Sequence, residues 1–190
     1  MPPRLLLIPG SLRAKSTTTA VLRTAQAMAP GGASATFYDR LAALPHFNPD
    51  DDAGALHPQV DGLRQAIRRA DAVLFSVPEY AGGLPGSFKN VLDWTIGDDQ
   101  PGSIYGKPVA WINASPRGAV NAHESLRKVL GYAHAVVIES ACAHIPLTGA
   151  MIGDDGLVAD VPAREMIGQA VGYLLAAASG RDPAVSRLSR

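Results

Sequence analysis

Leu5-Leu6-Leu7-Ile8-Pro9-Gly10-Ser11-Leu12-Arg13-Ala14-Lys15-Ser16-Thr17-Thr18-Thr19 is the stretch that decides the fold. Its first four residues are all apolar, as in a short strand buried on both faces. Pro9 and Gly10 close the run. Ser16, Thr17 and Thr18 then offer hydroxyls at a helix start, and Ala20 to Met28 is rich in helix formers. Buried strand, tight turn and helix form the opening unit of a parallel α/β sheet.

The same alternation continues outward. Pro30-Gly31-Gly32 ends the first helix, and Ala33 to Tyr38 reads as a second strand. Leu41 to Gly54, with two prolines and the run Asn48 to Asp52, reads as a loop. A helix from His57-Pro58 to about Ala70 places Val60, Leu63 and Ile67 on one face. Ala72 to Val77 is the clearest strand, stopped by Pro78. A Gly/Pro-rich loop runs to Gly86, and a helix carrying Phe88, Val91, Leu92 and Trp94 follows. Lys107 to Asn113 and Ala135 to Ile138 read as further strands, with a helix from Asn121 to Ala133 between them. Gly153-Asp154-Asp155-Gly156 signals a turn, in a segment that suits a small hairpin. Pro162 suits the first residue of a last helix reaching about Ala178, and 181–190 reads as a frayed tail. Five strands alternating with five helices predict one domain over residues 1–190, a parallel sheet with helices on both faces. Ligands of such sheets bind beyond the carboxyl ends of the strands. That rule selects three loops: after Ile8, after Val77 and after Asn113.

The first loop suits an anion. A helix N-terminus presents unpaired N–H groups and the positive end of the dipole. Ser11, Ser16, Thr17 and Thr18 add hydroxyls, and Arg13 can grip a phosphate bidentately, which fits a terminal monophosphate. A P-loop is excluded because Pro9 stands at its first glycine and Ala14 precedes Lys15-Ser16. A dinucleotide fingerprint is excluded because Leu12 and Lys15 replace its second and third glycines. The plainer alternative is a capped helix after a tight turn, with Arg13 and Lys15 solvated; Lys15 is read as solvated in either case.

The second loop is Pro78-Glu79-Tyr80-Ala81-Gly82-Gly83-Leu84-Pro85-Gly86. Its glycines and prolines give a rigid, exposed backbone able to donate N–H groups to the edge of a flat heterocycle. Tyr80 either flanks such a ring or is an ordinary loop aromatic. Glu79 could cap a helix, pair across a subunit contact or touch a ligand, and the structural role is preferred. In the third loop Ser115 could donate to the ring, and Arg117 is either a phosphate contact or a solvated charge.

Bulk properties narrow the classes. Apolar residues make up 47% and charged residues 18%, a globular composition. Lys plus Arg and Asp plus Glu stand at 17 each, so no net field favours nucleic acid or an anionic membrane. The N-terminal apolar run is too short for a signal h-region or a membrane span, and cytoplasmic is the default. Cys142 is the single cysteine, which excludes an intrachain disulfide and suits a small buried hydrophobe. His123, His134 and His144 lack a metal-ligand spacing and read as structural or surface. Asp50-Asp51-Asp52 reads as a solvated turn. No Gly-x-Ser-x-Gly elbow occurs.

Two motifs carry a family resemblance. Gly10 to Ser16 resembles Gly-Ser-x-Arg-x-x-Ser. Pro78 to Trp94 resembles the longer Pro-Glu-Tyr-Asn-x-Ser-x-Pro-Gly-x-Leu-Lys-Asn-Ala-[Ile/Leu]-Asp-Trp. Leu44-Pro45 and Phe47-Asn48 are similar to the loop after strand two of the same proteins. Over roughly residues 4–145 the chain resembles the NAD(P)H-dependent FMN reductases, which include flavin, quinone, azo-dye and chromate reductases. It departs from them at Ala81, where Asn is usual, at Gly83 for Ser, at Thr18 for Asn, and at Arg117 for Gly.

The resemblance implies a flavodoxin-like three-layer sandwich whose five-stranded parallel sheet has the order 2-1-3-4-5. It implies FMN bound by Ser11, Arg13, Ser16, Thr17 and Thr18, and by Pro78, Glu79, Tyr80, Ala81, Gly82 and Ser115. NADPH or NADH would donate hydride, with Arg117 and Gly118 at the donor, and a small-molecule acceptor would take the electrons. No side-chain acid or base is required, because the cofactor carries the chemistry. A homodimer or homotetramer is implied, with Lys89 and Asp93 at the subunit contact or simply on a helix surface. Two rival readings remain at this stage: an FMN electron carrier without nicotinamide activity, disfavoured by Arg13 and the zero net charge, and a cofactor-less interaction protein.

Overall fold

The computed structural model describes residues 2–180, so the expected frayed tail lies outside the described residues. The opening stretch forms β1 (Arg4–Pro9) and α1 (Thr17–Ala27). Then come β2 (Ser34–Phe37), α2 (Pro58–Arg69), β3 (Ala72–Ser76), α3 (Gly86–Ile96), β4 (Pro108–Asn113) and α4 (Val120–Tyr132). The chain ends in β5 (Val136–Val137), β6 (Ala143–His144) and α5 (Val161–Ala178). The strand order is β2-β1-β3-β4-β5, all parallel, with β6 also on β4.

Period-two alternation divides the interior into two cores. Leu5 and Leu7 of β1, Leu74 of β3 and Ile112 of β4 face α1 and α5. Leu6 and Ile8, Phe75 and Trp111 face α2, α3 and α4. The central strands are covered on both sides, so they show no polar alternation. Each fully buried Leu or Phe contributes roughly 1.5–3 kcal/mol from apolar surface removed from water.

The sheet differs from the expected five strands at its β5 edge. A 3-10 turn at Glu139–Ala141 buries Ala141 and divides that edge into two short pieces. Both lie along β4: Val136 and Val137 beside Pro108 and Val109, and Ala143 and His144 beside Ile112 and Asn113. Two residues with one exposed side chain carry no readable periodicity, which is why the sequence did not announce β6.

The other helix starts follow their local chemistry. His57 Nδ1 accepts from the Gln59 amide at 3.2 Å, and Pro58 opens α2. Asp160 Oδ1 accepts from the Ala163 amide at 2.9 Å, and Pro162 is the second residue of α5 rather than the first. The turn at 153–156 closes a minimal hairpin, with Ile152 bridged to Val158.

The long loop after β2 is pinned by the second motif. Trp94 Nε1 donates to the Pro45 carbonyl at 2.9 Å, and Asn90 Nδ2 to the same oxygen at 2.8 Å. The Phe47 amide returns a bond to Asn90 Oδ1 at 2.7 Å, and Phe47 packs edge-on against Trp94. Asn90 and Trp94 of the motif are therefore structural. Asp52 corrects the reading of Asp50-Asp51-Asp52 as a solvated turn: its carboxylate lies 2.8 Å from the buried Arg64 guanidinium.

Candidate functional site

β1, β3 and β4 end side by side, and the three loops selected from the sequence leave from those ends. Gly10 sets the first loop tight against β3. Its amide donates to the Ser76 carbonyl at 2.8 Å, and a Cβ there would stand 2.8 Å from Val77 Cα. No other residue fits without moving backbone.

Ser11 is buried, and its Oγ accepts from the Arg13 amide at 3.2 Å. Ser16 is the N-cap of α1, yet no side chain caps the helix. Its Oγ instead pairs with Thr18 Oγ1 at 2.7 Å, both groups buried. One hydroxyl of the pair donates to the other, so one O–H is left to use. The Ala20 amide takes up the Ser16 carbonyl, which leaves the amides of Thr17, Thr18 and Thr19 at an open helix end. Arg13 and Lys15 are exposed, and Thr17 is half-buried. Lys15, Ser16, Thr17 and Thr19 line a cavity of about 410 Å³ whose far side is Gly149 and Ile152 to Asp154.

The second loop is a two-residue hairpin. Tyr80 and Gly83 exchange both backbone bonds, each 3.1 Å. Between them Ala81 and Gly82 are left-handed, at φ +49° and +74°. Two left-handed central residues make a type I′ turn, in which Asn-Gly is the favoured pair. The usual Asn at position 81 therefore has a backbone reason, and Ala81 holds that conformation at a cost. The Ala81 and Gly82 amides lie outside the Tyr80–Gly83 pairing, on an exposed tip. Tyr80 is 44% exposed, and its hydroxyl shares a 3.2 Å hydrogen bond with Ser11 Oγ. Pro78 and Glu79 are half-buried, and Glu79 Oε2 accepts from the Ala122 amide of α4 at 3.1 Å. Of the three roles weighed for Glu79, the structure shows helix capping.

The third loop is organised by Asn113, which sequence reading treated only as a strand end. Its Oδ1 accepts from the Ser115 amide at 3.0 Å, and its Nδ2 donates to the Gly118 carbonyl. Ser115 Oγ accepts from the Arg117 amide at 3.2 Å, and the Gly118 amide donates to the Ser115 carbonyl. Gly118 is left-handed at φ +89°. His144 Nε2 donates to the Ser115 carbonyl at 2.8 Å, so this surface histidine also holds the loop. The Arg117 side chain is exposed.

Two further titratable groups, His123 and Cys142, are structural. His123 Nδ1 donates to the Ala119 carbonyl at 2.8 Å, and burial lowers its pKa, which keeps the imidazole neutral. Burial pushes the Cys142 thiol up to about 11, so it is no thiolate nucleophile at neutral pH. The structure thus brings the phosphate-loop and ring-loop residues together through Ser11 and Tyr80. It joins the ring loop to the third loop through Glu79 and Ala122.

Comparison with known proteins gives one consistent result. A family profile described as NADPH-dependent FMN reductase matches residues 3–148. An NAD(P)H-dependent FMN reductase of Pseudomonas aeruginosa is 34% identical over 87% of this chain and 90% of its own length. A quinone reductase of Pseudomonas putida is 30% identical over 81% of this chain and 83% of its own. Among solved structures, FerB, a flavoenzyme NAD(P)H:(acceptor) oxidoreductase from Paracoccus denitrificans, superposes with a TM-score of 0.82 at 29% identity. That superposition covers 94% of this chain and 98% of FerB.

Proposed function

The chain belongs to the NADPH-dependent FMN reductase family, and on that premise we propose that it passes reducing equivalents from NAD(P)H through FMN to a quinone. The single observation that carries this reading is the start of α1: no side chain caps the helix, and the loop that leads into it carries the exposed Arg13. These groups suit the terminal phosphate of FMN, because dianionic charge gains both from the dipole and from a guanidinium.

In this reading Ser11, Arg13, Ser16, Thr17 and Thr18 hold the phosphate. The Thr17–Thr19 amides and the one spare hydroxyl of the Ser16–Thr18 pair donate to it. Pro78, Tyr80, Ala81, Gly82 and Ser115 form the ring seat. When bound, FMN would supply a two-electron relay between nicotinamide and acceptor. The protein orients the two partners and directs dipoles at the polar edge of the ring. Arg117 and Gly118 are read as contacts of the donor. Quinone is preferred among the acceptors because relatives from Pseudomonas putida and Escherichia coli are named quinone reductases.

The protein is further read as a cytoplasmic homodimer or homotetramer. Among the described residues no helix is long and apolar enough to cross a membrane. Lys89 and Asp93 pair with each other along α3 at 2.5 Å and line a groove together with Tyr132 of α4, which is 74% exposed. A second copy would cover that groove.

One experiment tests the redox reading. The purified protein is given FMN, and its visible spectrum is recorded before and after anaerobic NADPH. Rapid bleaching is expected. Binding without bleaching would instead make the protein an electron carrier, and no binding at micromolar FMN would remove both readings.

A further inference from the structure

α4 begins without a cap of its own. Its N-cap position is Ala119, which has no side-chain acceptor and lies in the left-handed region at φ +45°. Gly118 before it is also left-handed, at φ +89°. A left-handed alanine is costly and persists where surrounding structure holds it. The first turn of α4 also carries amides with no partner inside the helix. His123 holds the Ala119 carbonyl, and one of the helix amides is met from 43 residues away, where Glu79 Oε2 accepts from the amide of Ala122, the third residue of α4, at 3.1 Å. The carboxylate also opposes the positive end of the helix dipole.

Glu79 belongs to the ring loop, and its neighbour Tyr80 is tied the other way, to Ser11 of the phosphate loop. Adjacent residues thus hold two different loops. The ring loop does not need Glu79 for its own shape, because the Tyr80–Gly83 pair closes the hairpin with two backbone bonds. The third loop has internal bonds through Ser115 and Asn113, and His144 anchors it from the side of β6. What Glu79 adds is the register between the third loop and the ring loop.

We propose that Glu79 is a positioning residue for the nicotinamide donor. By holding the Ala122 amide it fixes the Ser115–Ala119 loop against the ring loop, and so sets how firmly NAD(P)H is held. This rests on the reductase reading above. It assigns Glu79 a role distinct from the flavin contact that the family resemblance implies, and it explains a glutamate directed at a helix rather than at the loop tip.

Two variants test it, Glu79→Ala and Glu79→Gln; the second keeps an oxygen able to accept from Ala122. The first readout is amide hydrogen exchange across residues 119–124 in the ligand-free protein. Exchange is expected to quicken about tenfold or more in Glu79→Ala and to stay within about threefold in Glu79→Gln. The second readout is kinetic, with ferricyanide as acceptor. The KM for NADPH is expected to rise about tenfold in Glu79→Ala, with kcat within about twofold, and Glu79→Gln should recover most of the loss. FMN affinity, measured by fluorescence, should stay within about threefold in both. Unchanged exchange in Glu79→Ala would overturn the proposal, as would FMN affinity falling as far as donor affinity. If the parent protein binds FMN but is not reduced by NADPH, the reductase reading fails by itself, and the exchange result still decides whether Glu79 holds α4.

Discussion

α1 and α4 follow β1 and β4, the strands on either side of β3, at the same end of the sheet, and the chain treats their N-termini in opposite ways. α1 opens with Ser16, a good capping residue, whose hydroxyl turns aside to Thr18 and leaves the helix uncapped. α4 opens with Ala119, which cannot cap, and Glu79 supplies a carboxylate from another loop. One positive helix end is left open after a loop that carries an arginine; the other is closed by a carboxylate from another loop. Of these two helix ends, the one at α1 is left to an anion. A helix end binds anions by default, so specificity here lies as much in the end that is closed as in the end left open.

The largest way to break this contrast is at Arg13. Arg13→Ala removes the charge of the loop that leads into the open end, and a charge-assisted hydrogen bond contributes roughly 1.5–3 kcal/mol. FMN affinity is expected to fall about 10- to 100-fold by fluorescence titration, while riboflavin, which lacks the phosphate, changes by less than about threefold. Equal losses for the two ligands would take Arg13 out of the phosphate site.

A smaller effect is expected from opening the closed end. Glu79→Ala removes a cap, which costs about 1 kcal/mol. For a chain of this size the melting temperature should fall by about 2–4 °C in a calorimetric scan. An unchanged melting point would mean that the Ala122 contact stabilises nothing.

The smallest effect sharpens the comparison at the loop between the two helices. Ala81 is left-handed at φ +49°, where Asn is tolerated better. Ala81→Asn is expected to stabilise the protein by about 0.5–1 kcal/mol in denaturant titration. A destabilised variant would show that the tip has no room for the longer side chain.

The contrast also shows where the sequence was legible. Leu5 to Ile8 and Ala72 to Val77 announced central strands because burial on both faces leaves an all-apolar run. Gly10 and Pro78 marked the loops because tight turns restrict residue type. Glu79 stayed ambiguous because its partner is a backbone amide 43 residues on, and an amide leaves no trace in residue identity. Asn113 was missed for the same reason: its partners are the backbone of Ser115 and Gly118. Ser16 was legible as a helix start but not as an unused cap, since the choice between the helix amides and Thr18 is made by packing. Ala119 gave no signal at all, because alanine is not a residue that left-handed backbone selects.

The most direct test of the account uses the amide resonances of isotopically labelled protein titrated with FMN and, separately, with riboflavin. The two ligands share the ring and differ by the phosphate. The Thr17, Thr18 and Thr19 amides are expected to shift with FMN and hardly with riboflavin, while Val120, Asn121 and Ala122 respond alike to both. Phosphate-dependent shifts centred on Val120 to Ala122, with Thr17 to Thr19 unmoved, would contradict it.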